Sequence, residues 1–350
     1  MPANRHQPAA TPLILVPDAE FDGPPDIEEA VFGGSARLAI HRAHKADEIP
    51  AALWRDCAGI MAWHNVTIGE SLVEELANCR IIVRVGAGYD NMALAACGRR
   101  GIAVCNVPDY GVNEVADHAI ALMLTLGRGI LRYHGAVAAD PIGGWAVEKT
   151  PAIRRFAGLT FGVVGMGRIG TAAARRAAAF GLRILFYDPY LPTGAELGLG
   201  FARVDSLEAL LGQSDIVSLH TPLTTETRGM IDAAALAAMR PDAVLINTAR
   251  GPIIDLDALG AALEAGRLAA AGLDVLPQEP PLAGTQFVDA VRRGEPWTIG
   301  RVIVTPHAAW YSRDSYGDLR RKAALVARDF LRDGRLRDCV NRQFLPTAAS

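Results

Sequence analysis

The chain has 350 residues, half of them hydrophobic and 21% charged, with a formal net charge of −3. That is ordinary globular usage, long enough for two domains with a core each, and it carries no electrostatic footprint for nucleic acid or another polyanion. Five cysteines (57, 79, 97, 105 and 339) are scattered, odd in number and never in a C-x-x-C pair, which argues for reduced thiols in a cytoplasmic protein and against a disulfide scaffold or a metal site.

The opening MPANRHQPAA lacks the apolar core of a signal peptide and reads as a loose tail. Short apolar runs then alternate with Ala/Leu/Glu/Arg-rich segments. The first group is LILV (13–16), GIMAW (59–63), IIVRV (81–85) and IAVCNV (102–107). Next comes VNEVADHAIALMLTLGRGILRYHG (112–135), one long helical stretch with Asn113 as its N-cap, leading from a first domain into a second. Its most apolar part, 116–126, is interrupted by Asp117 and His118 and is too short to span a bilayer, so no membrane partner is expected. The second group is FGVVG (161–165), RILFYD (183–188), DIVSLH (215–220), AVLIN (243–247) and VIVTP (302–306). An amphipathic helix at about 315–333 and a short tail end the chain. Runs this continuous suit strands covered on both faces, and their alternation with helices predicts βαβ units, an α/β fold with a parallel sheet in each domain. A lone last helix cannot form a domain, so it returns to the first. The expected domains are 1–110 plus 311–350, for substrate, and 111–310, for a dinucleotide.

The dinucleotide reading rests on FGVVGMGRIG followed by TAAARRAAAF. A strand leads into Gly165, Met166, Gly167, Arg168, Ile169 and Gly170, and a helix follows. Gly165 permits the tight turn, Gly167 lets backbone approach a pyrophosphate, and Gly170 lets helix and strand pack closely. The N–H groups opening the helix face the anion. Asp188, ending the next strand, accepts hydrogen bonds from ribose hydroxyls and repels a 2′-phosphate, so NAD(H) is expected over NADP(H).

Three later strand ends are polar where polarity is costly. VLINTARG sets Thr248, Ala249 and Arg250 after one strand, GLDVLPQEP sets Asp274 and Glu279 at and past the next, and TPHAAWYS sets His307 after the last. Ligands of open parallel sheets bind outside the carboxyl ends of the strands. Reducing a 2-keto acid needs a hydride at the carbonyl carbon and a proton on its oxygen. An arginine fork holds the carboxylate and polarises the carbonyl, a histidine supplies the proton, and a carboxylate on the other ring nitrogen fixes the tautomer and stabilises the imidazolium. Singly, each residue has a plainer use: a surface ion pair, a solvated turn, a structural ring. Their convergence after a dinucleotide turn favours the chemical reading.

With GMGRIG, LHTPLTTETRGMI, NTARGPIID, GLDVLPQEP and TPHAAW, the chain resembles the D-isomer-specific 2-hydroxyacid dehydrogenase family over essentially its whole length. IIVRVGAGYDN, GIAVCNVP, LFYDPY, TPHAAWYS and CVN (339–341) make it most similar to the branch that contains the C-terminal-binding-protein (CtBP) corepressors. The resemblance implies a homodimer, paired through the cofactor domain, of two Rossmann-like or flavodoxin-like domains with a cleft between them. It implies Arg250 as substrate anchor, Glu279 as partner of His307, and His307 as acid/base. It implies Asp188 on the ribose and Thr221, Thr227, Thr248, Ala249, Asp274 and the turn residues along NAD, with Arg250 and His307 beside its nicotinamide. Formate dehydrogenases of the family carry Gln at the position of Glu279; Glu favours proton chemistry.

On the substrate side, backbone N–H groups at Gly86 and Ala87 of VGAG are candidates for the carboxylate. Arg84 is a second contact on the resemblance to the corepressor-like branch, a strand-end surface arginine being the alternative. Trp310 walls the pocket on that resemblance, or packs as a core aromatic; His64 borders it or is structural. The segment 281–301 is longer than in many members of the family and suits a short helix around FVDAVRRG with Trp297 after it. The VGAG loop has no Lys/Arg cluster beyond Arg84 for a phosphate-bearing substrate. Two readings follow: a reductase of a small 2-keto acid giving the D-hydroxy acid, and an NAD(H)-sensing, CtBP-like dimeric binding protein with weak dehydrogenase activity.

Overall fold

The computed structural model describes residues 11–147 and 150–346; the stretch read as a loose tail, 1–10, and the last four residues lie outside the described residues. The chain divides into two compact units, Met1–Gly111 with Ser312–Ser350, and Val112–Tyr311.

In the first unit, β1 (Leu13–Val16), β2 (Arg37–Ile40), β3 (Gly59–Ala62), β4 (Ile81–Arg84) and β5 (Ala103–Cys105) form a parallel sheet in the order β2-β1-β3-β4-β5. β3 and β4 are buried along their whole length, as their unbroken apolar runs require. Leu15, Ile60, Ile82 and Val104 meet Trp54 in the core. The helix Arg313–Asp333 packs on β3, β4 and the helix Asp26–Phe32. Its buried Arg320 holds buried Glu28 bidentately, at 3.0 Å and 2.6 Å, and lies 4.0 Å over the Phe21 ring. Both charges are thereby paired inside the unit, the condition for burying them. The following tail is tied to the sheet by Asn341, which accepts from the Val104 N–H at 2.8 Å and donates to the Ile102 carbonyl at 2.9 Å.

In the second unit, β6 (Thr160–Val164), β7 (Arg183–Tyr187), β8 (Ala202–Arg203), β9 (Ile216–Leu219), β10 (Val244–Asn247), β11 (Ala270–Leu273) and β12 (Val302–Val304) form a parallel sheet in the order β12-β11-β10-β9-β6-β7-β8. The order reverses between β6 and β9, and their carboxyl ends form the switch point where dinucleotides bind in such sheets.

The long helical stretch is two helices, Val112–Gly127 and Ile130–Ala139, broken at Gly129, whose φ of 63° leaves the helical region. Asn113 lies inside the first turn rather than capping it, and its Oδ1 accepts from Arg176 Nη2 at 3.1 Å. β2 and β8 have no counterpart among the apolar runs. Both are edge strands and partly exposed, so their side chains carry no continuous apolar signal. β11 reads AAGL, without β-branched residues; its Gly272 lies close under the helix above, where a Cβ would sit 3.1 Å from Leu122 Cβ, tighter than ordinary contact. In the 281–301 segment, the helix Gln286–Arg293 buries Phe287, and Trp297 packs on it with ring centroids 5.8 Å apart.

Candidate active site

The turn after β6 is shaped as its three glycines require. Gly165 has φ of 88°, and a Cβ there would sit 2.8 Å from Thr221 Cγ2. A Cβ on Gly170 would sit 2.1 Å from the Gly165 carbonyl oxygen, so the helix Arg168–Ala179 reaches the strand only without one. Gly167 differs: a Cβ there meets nothing within 4 Å, so no protein atom requires glycine at that position. Arg168 is exposed and Ile169 half-buried at the head of the helix. Asp188 Oδ2 accepts the Met166 N–H at 2.9 Å and Oδ1 the Tyr190 N–H at 3.0 Å, so this carboxylate also braces the turn. A carboxylate has about four acceptor sites, which leaves capacity for ribose hydroxyls.

Across the switch point, Thr221 follows β9 and Thr248 follows β10. The hydroxyl oxygens of both are buried without a hydrogen-bond partner among the described residues. Buried polar atoms are ordinarily paired, and two orphans beside a dinucleotide turn fit a bound NAD. Thr227 is engaged locally, its hydroxyl donating to the Pro222 carbonyl at 2.6 Å. His220, ahead of Thr221, is bonded to Ser218 Oγ at 2.9 Å, and burial pulls its pKa down to about 4, so it is neutral at physiological pH.

Arg250, Glu279 and His307 come together at the ends of β10, β11 and β12. Asn247, wholly buried, shapes the loop before Arg250: its Oδ1 accepts from Ala249 N at 2.9 Å and its Nδ2 donates to the Arg250 carbonyl at 2.9 Å. Arg250 Nη1 donates to the Ala249 carbonyl at 2.7 Å. His307 Nδ1 lies 2.7 Å from Glu279 Oε2, with the two side chains 33% and 35% exposed. Glu279 Oε1 accepts the Leu276 N–H at 2.8 Å. Burial pushes the Glu279 carboxyl up, but the His307 hydrogen bond and charge, the Leu276 N–H and the Arg250 charge together outweigh it and hold the pKa below the ordinary 4.5.

Asp274 is 1% exposed and clamps the loop bearing His307. Its Oδ1 accepts Thr305 Oγ1 at 2.5 Å and Ala308 N at 2.9 Å, its Oδ2 accepts Ala309 N at 2.9 Å, and its carbonyl accepts His307 N at 2.8 Å. Trp310 follows, half-buried, edge-on to Tyr311 with centroids 5.8 Å apart.

The first unit places its own candidates at the carboxyl ends of β1, β3 and β4. Arg84 is buried, which removes the surface ion pair as its explanation. Its Nη1 donates to the Val85 carbonyl, and a Cβ on Gly86, whose φ is 150°, would lie 2.0 Å from that nitrogen. The Gly86 N–H donates to the Arg84 carbonyl at 2.9 Å, and Ala87 lends its carbonyl to Asn106 Nδ2 at 2.7 Å. Buried Asp18 gathers the N–H groups of Trp63, Asn65 and Val66 at 2.8, 2.9 and 2.9 Å, which fixes the loop carrying His64. Burial raises the Asp18 pKa, more than these bonds and the Arg84 charge lower it. His64 Nδ1 lies 2.7 Å from Glu20 Oε1.

Sequence reasoning assigned no role to Asn247, Thr305 or His118. Asn247 lies within NTARG and Thr305 within TPHAAW, so the motifs contained them; His118 stood out only as a polar break in an apolar helix. Among the described residues no helix is long and apolar enough to cross a membrane, and no His/Cys/Asp/Glu group is arranged to hold a metal ion.

Residues 120–309 match the family model described as D-isomer specific 2-hydroxyacid dehydrogenase, NAD binding domain. Glycerate dehydrogenase of Methylorubrum extorquens is 36% identical over 263 residues, 74% of this chain and 78% of that one. C-terminal-binding protein 1 of Caenorhabditis elegans is 32% identical over 336 residues, 91% of this chain but 44% of that one, so the chain spans less than half the nematode protein. The crystal structure of an NADPH-dependent glyoxylate/hydroxypyruvate reductase from Sinorhizobium meliloti, in complex with NADP and malonate, is similar with a TM-score of 0.83 at 28% identity, covering 97% of this chain and 100% of that one. The α/β fold, the dinucleotide turn and these matches define one class: the chain belongs to the D-isomer specific 2-hydroxyacid dehydrogenase family. Its second unit holds that family's NAD-binding domain.

Proposed function

We propose that the protein interconverts a small 2-keto acid and the D-2-hydroxy acid with NAD(H), and that Arg250, Glu279 and His307 carry the chemistry. The observation that supports this most is the 2.7 Å bond from His307 Nδ1 to Glu279 Oε2, with the charge of Arg250 acting on the same carboxylate. With Nδ1 bonded to Glu279, Nε2 is the ring nitrogen that gives a proton to the carbonyl oxygen in reduction and takes one from the hydroxyl in oxidation. Glu279, ionised, stabilises the imidazolium and keeps the ring in one tautomer. The guanidinium of Arg250 holds the substrate carboxylate and polarises the neighbouring carbonyl. The turn Gly165–Gly170, Asp188 and the hydroxyls of Thr221 and Thr248 hold the dinucleotide, with Thr227, Ala249 and Asp274 along its length; when bound, its nicotinamide supplies or accepts the hydride.

Asp188 supports NAD(H) over NADP(H), since a second negative charge against it is repelled. Within the first unit, the Gly86 N–H is engaged, which leaves Ala87 and buried Arg84 as its candidates for a carboxylate. Trp310 then lines the substrate tail. Ile130, Leu131, Ile142, Trp145 and Val147 are exposed in the second unit, apolar side chains we assign to pairing with a second copy.

The second reading, an NAD(H)-sensing binding protein with weak turnover, is favoured by the 91% of this chain aligned with C-terminal-binding protein 1. A screen of 2-keto acids that includes glyoxylate and hydroxypyruvate, followed by NADH absorbance, separates the two. Turnover of roughly 1–1000 per second on one of them supports the enzyme, and slow reaction with all supports the sensor.

A further inference from the structure

We propose that His118 is a positioning residue for His307, acting through Thr305 and Asp274. The inference rests on the reading of His307 as the acid/base group and adds a residue to it.

The problem it addresses is conformational. His307 has φ of 52°, in the left-handed region. For a residue with a Cβ this conformation is unfavourable, and it persists only where the surroundings over-determine it. Asp274 supplies most of that restraint: it binds the side chain or backbone of residues 305, 307, 308 and 309. His118, on the helix Val112–Gly127, adds the outermost bond. Its Nε2 lies 3.0 Å from Thr305 Oγ1 and 3.6 Å from Asp274 Oδ1.

The direction of that bond follows from counting hydrogens. A threonine hydroxyl has one, and Thr305 gives it to Asp274 Oδ1 at 2.5 Å. Thr305 Oγ1 is therefore the acceptor for His118, whose Nε2 carries the hydrogen. The chain His118 to Thr305 to Asp274 runs one way, and each donor strengthens the next. It fixes the Thr305 hydroxyl rotor and, with it, the Asp274 carboxylate on which the His307 loop hangs.

The helix is seated so that this bond can form. Leu122, four residues on from His118 and so on the same helix face, packs so closely on Gly272 that a Cβ there would lie 3.1 Å from Leu122 Cβ, tighter than ordinary contact. Gly272 lies two residues before Asp274 on β11. This close approach brings the His118 ring down to the polar strand end.

The test uses the full chain and three variants. With NADH and an accepted keto acid, His118→Ala should lower kcat about 10- to 100-fold, the scale of a reacting group misplaced by about 1 Å. KM for the keto acid should stay within about twofold, because substrate binding itself is untouched. His118→Gln, whose side-chain amide donates from the same reach, should recover most of the loss. Imidazole 15N NMR of the cofactor-free protein needs no turnover: it should show His118 protonated on Nε2, with His307 resonances moved in His118→Ala and restored in His118→Gln. Unchanged kcat in His118→Ala, a loss that His118→Gln does not recover, or unmoved His307 resonances would each overturn the proposal. His307→Gln is the separate control. If it leaves reduction intact, the acid/base reading itself fails, whatever His118 does.

Discussion

Arg250 and a lysine at its place would carry the same charge, but only the guanidinium offers a planar fork to a carboxylate. Arg250→Ala should cost roughly 2–5 kcal/mol in kcat/KM for the keto acid, the range for removing one partner of a close charge pair. Arg250→Lys should recover part of it, and equal losses would argue that Arg250 does not hold the carboxylate. Glu279 gives a prediction that needs no substrate. Its folded pKa lies below the ordinary 4.5, so its contribution to stability is present above that value and is lost as pH falls through the folded pKa. The Tm gap between wild type and Glu279→Gln should therefore close as pH drops below about 5; a gap that persists at the acid end would contradict the assigned ionisation. The placement of Arg250, Glu279 and His307 at neighbouring strand ends was legible in the sequence. The residues that hold them were not. Asp274 was read along the cofactor, and its grip on the 305–309 loop depends on backbone N–H groups that no sequence pattern displays.

At the scale of one element, the dinucleotide turn separates two uses of glycine. Gly170 is excluded from bearing a Cβ by the Gly165 carbonyl at 2.1 Å, whereas Gly167 has open space and an ordinary φ of −73°. Gly170→Ala should lower Tm. Gly167→Ala should leave stability within about 0.5 kcal/mol while weakening NADH binding, measured by fluorescence titration. The reverse pattern would remove the phosphate-cradle reading of Gly167. Strand–turn–helix order made this element the easiest to read ahead of the structure, because the glycine spacing and the flanking periodicities agree. The 112–135 stretch was harder. Its apolar pattern runs on through Gly129, and only the left-handed backbone at that residue ends one helix and starts the next. β2 and β8 were invisible because edge strands need not be apolar on both faces.

For the whole molecule, the exposed apolar segment 142–147 is the feature least suited to a lone chain. Ile142, Trp145 and Val147 are 89%, 79% and 87% exposed. Large apolar side chains left this exposed are candidates for an interaction site. If a second copy covers it, sedimentation should give a dimer, and Trp145→Arg should shift it toward monomer without lowering the Tm of the separated chain. A wild-type monomer at working concentration would sink the assignment. The two-sheet α/β architecture was legible from alternation alone, and the order reversal between β6 and β9 then supplied what alternation cannot, the place where a dinucleotide sits.

The central claim is that His307 donates the proton and that Glu279 holds its ring in place for the task. The most direct measurement is the pH–rate profile for keto-acid reduction, wild type beside Glu279→Gln. Loss of the carboxylate at 2.7 Å should lower kcat across the whole profile, because the ring is no longer held in the tautomer and orientation that proton transfer needs. Superimposable profiles would contradict the account.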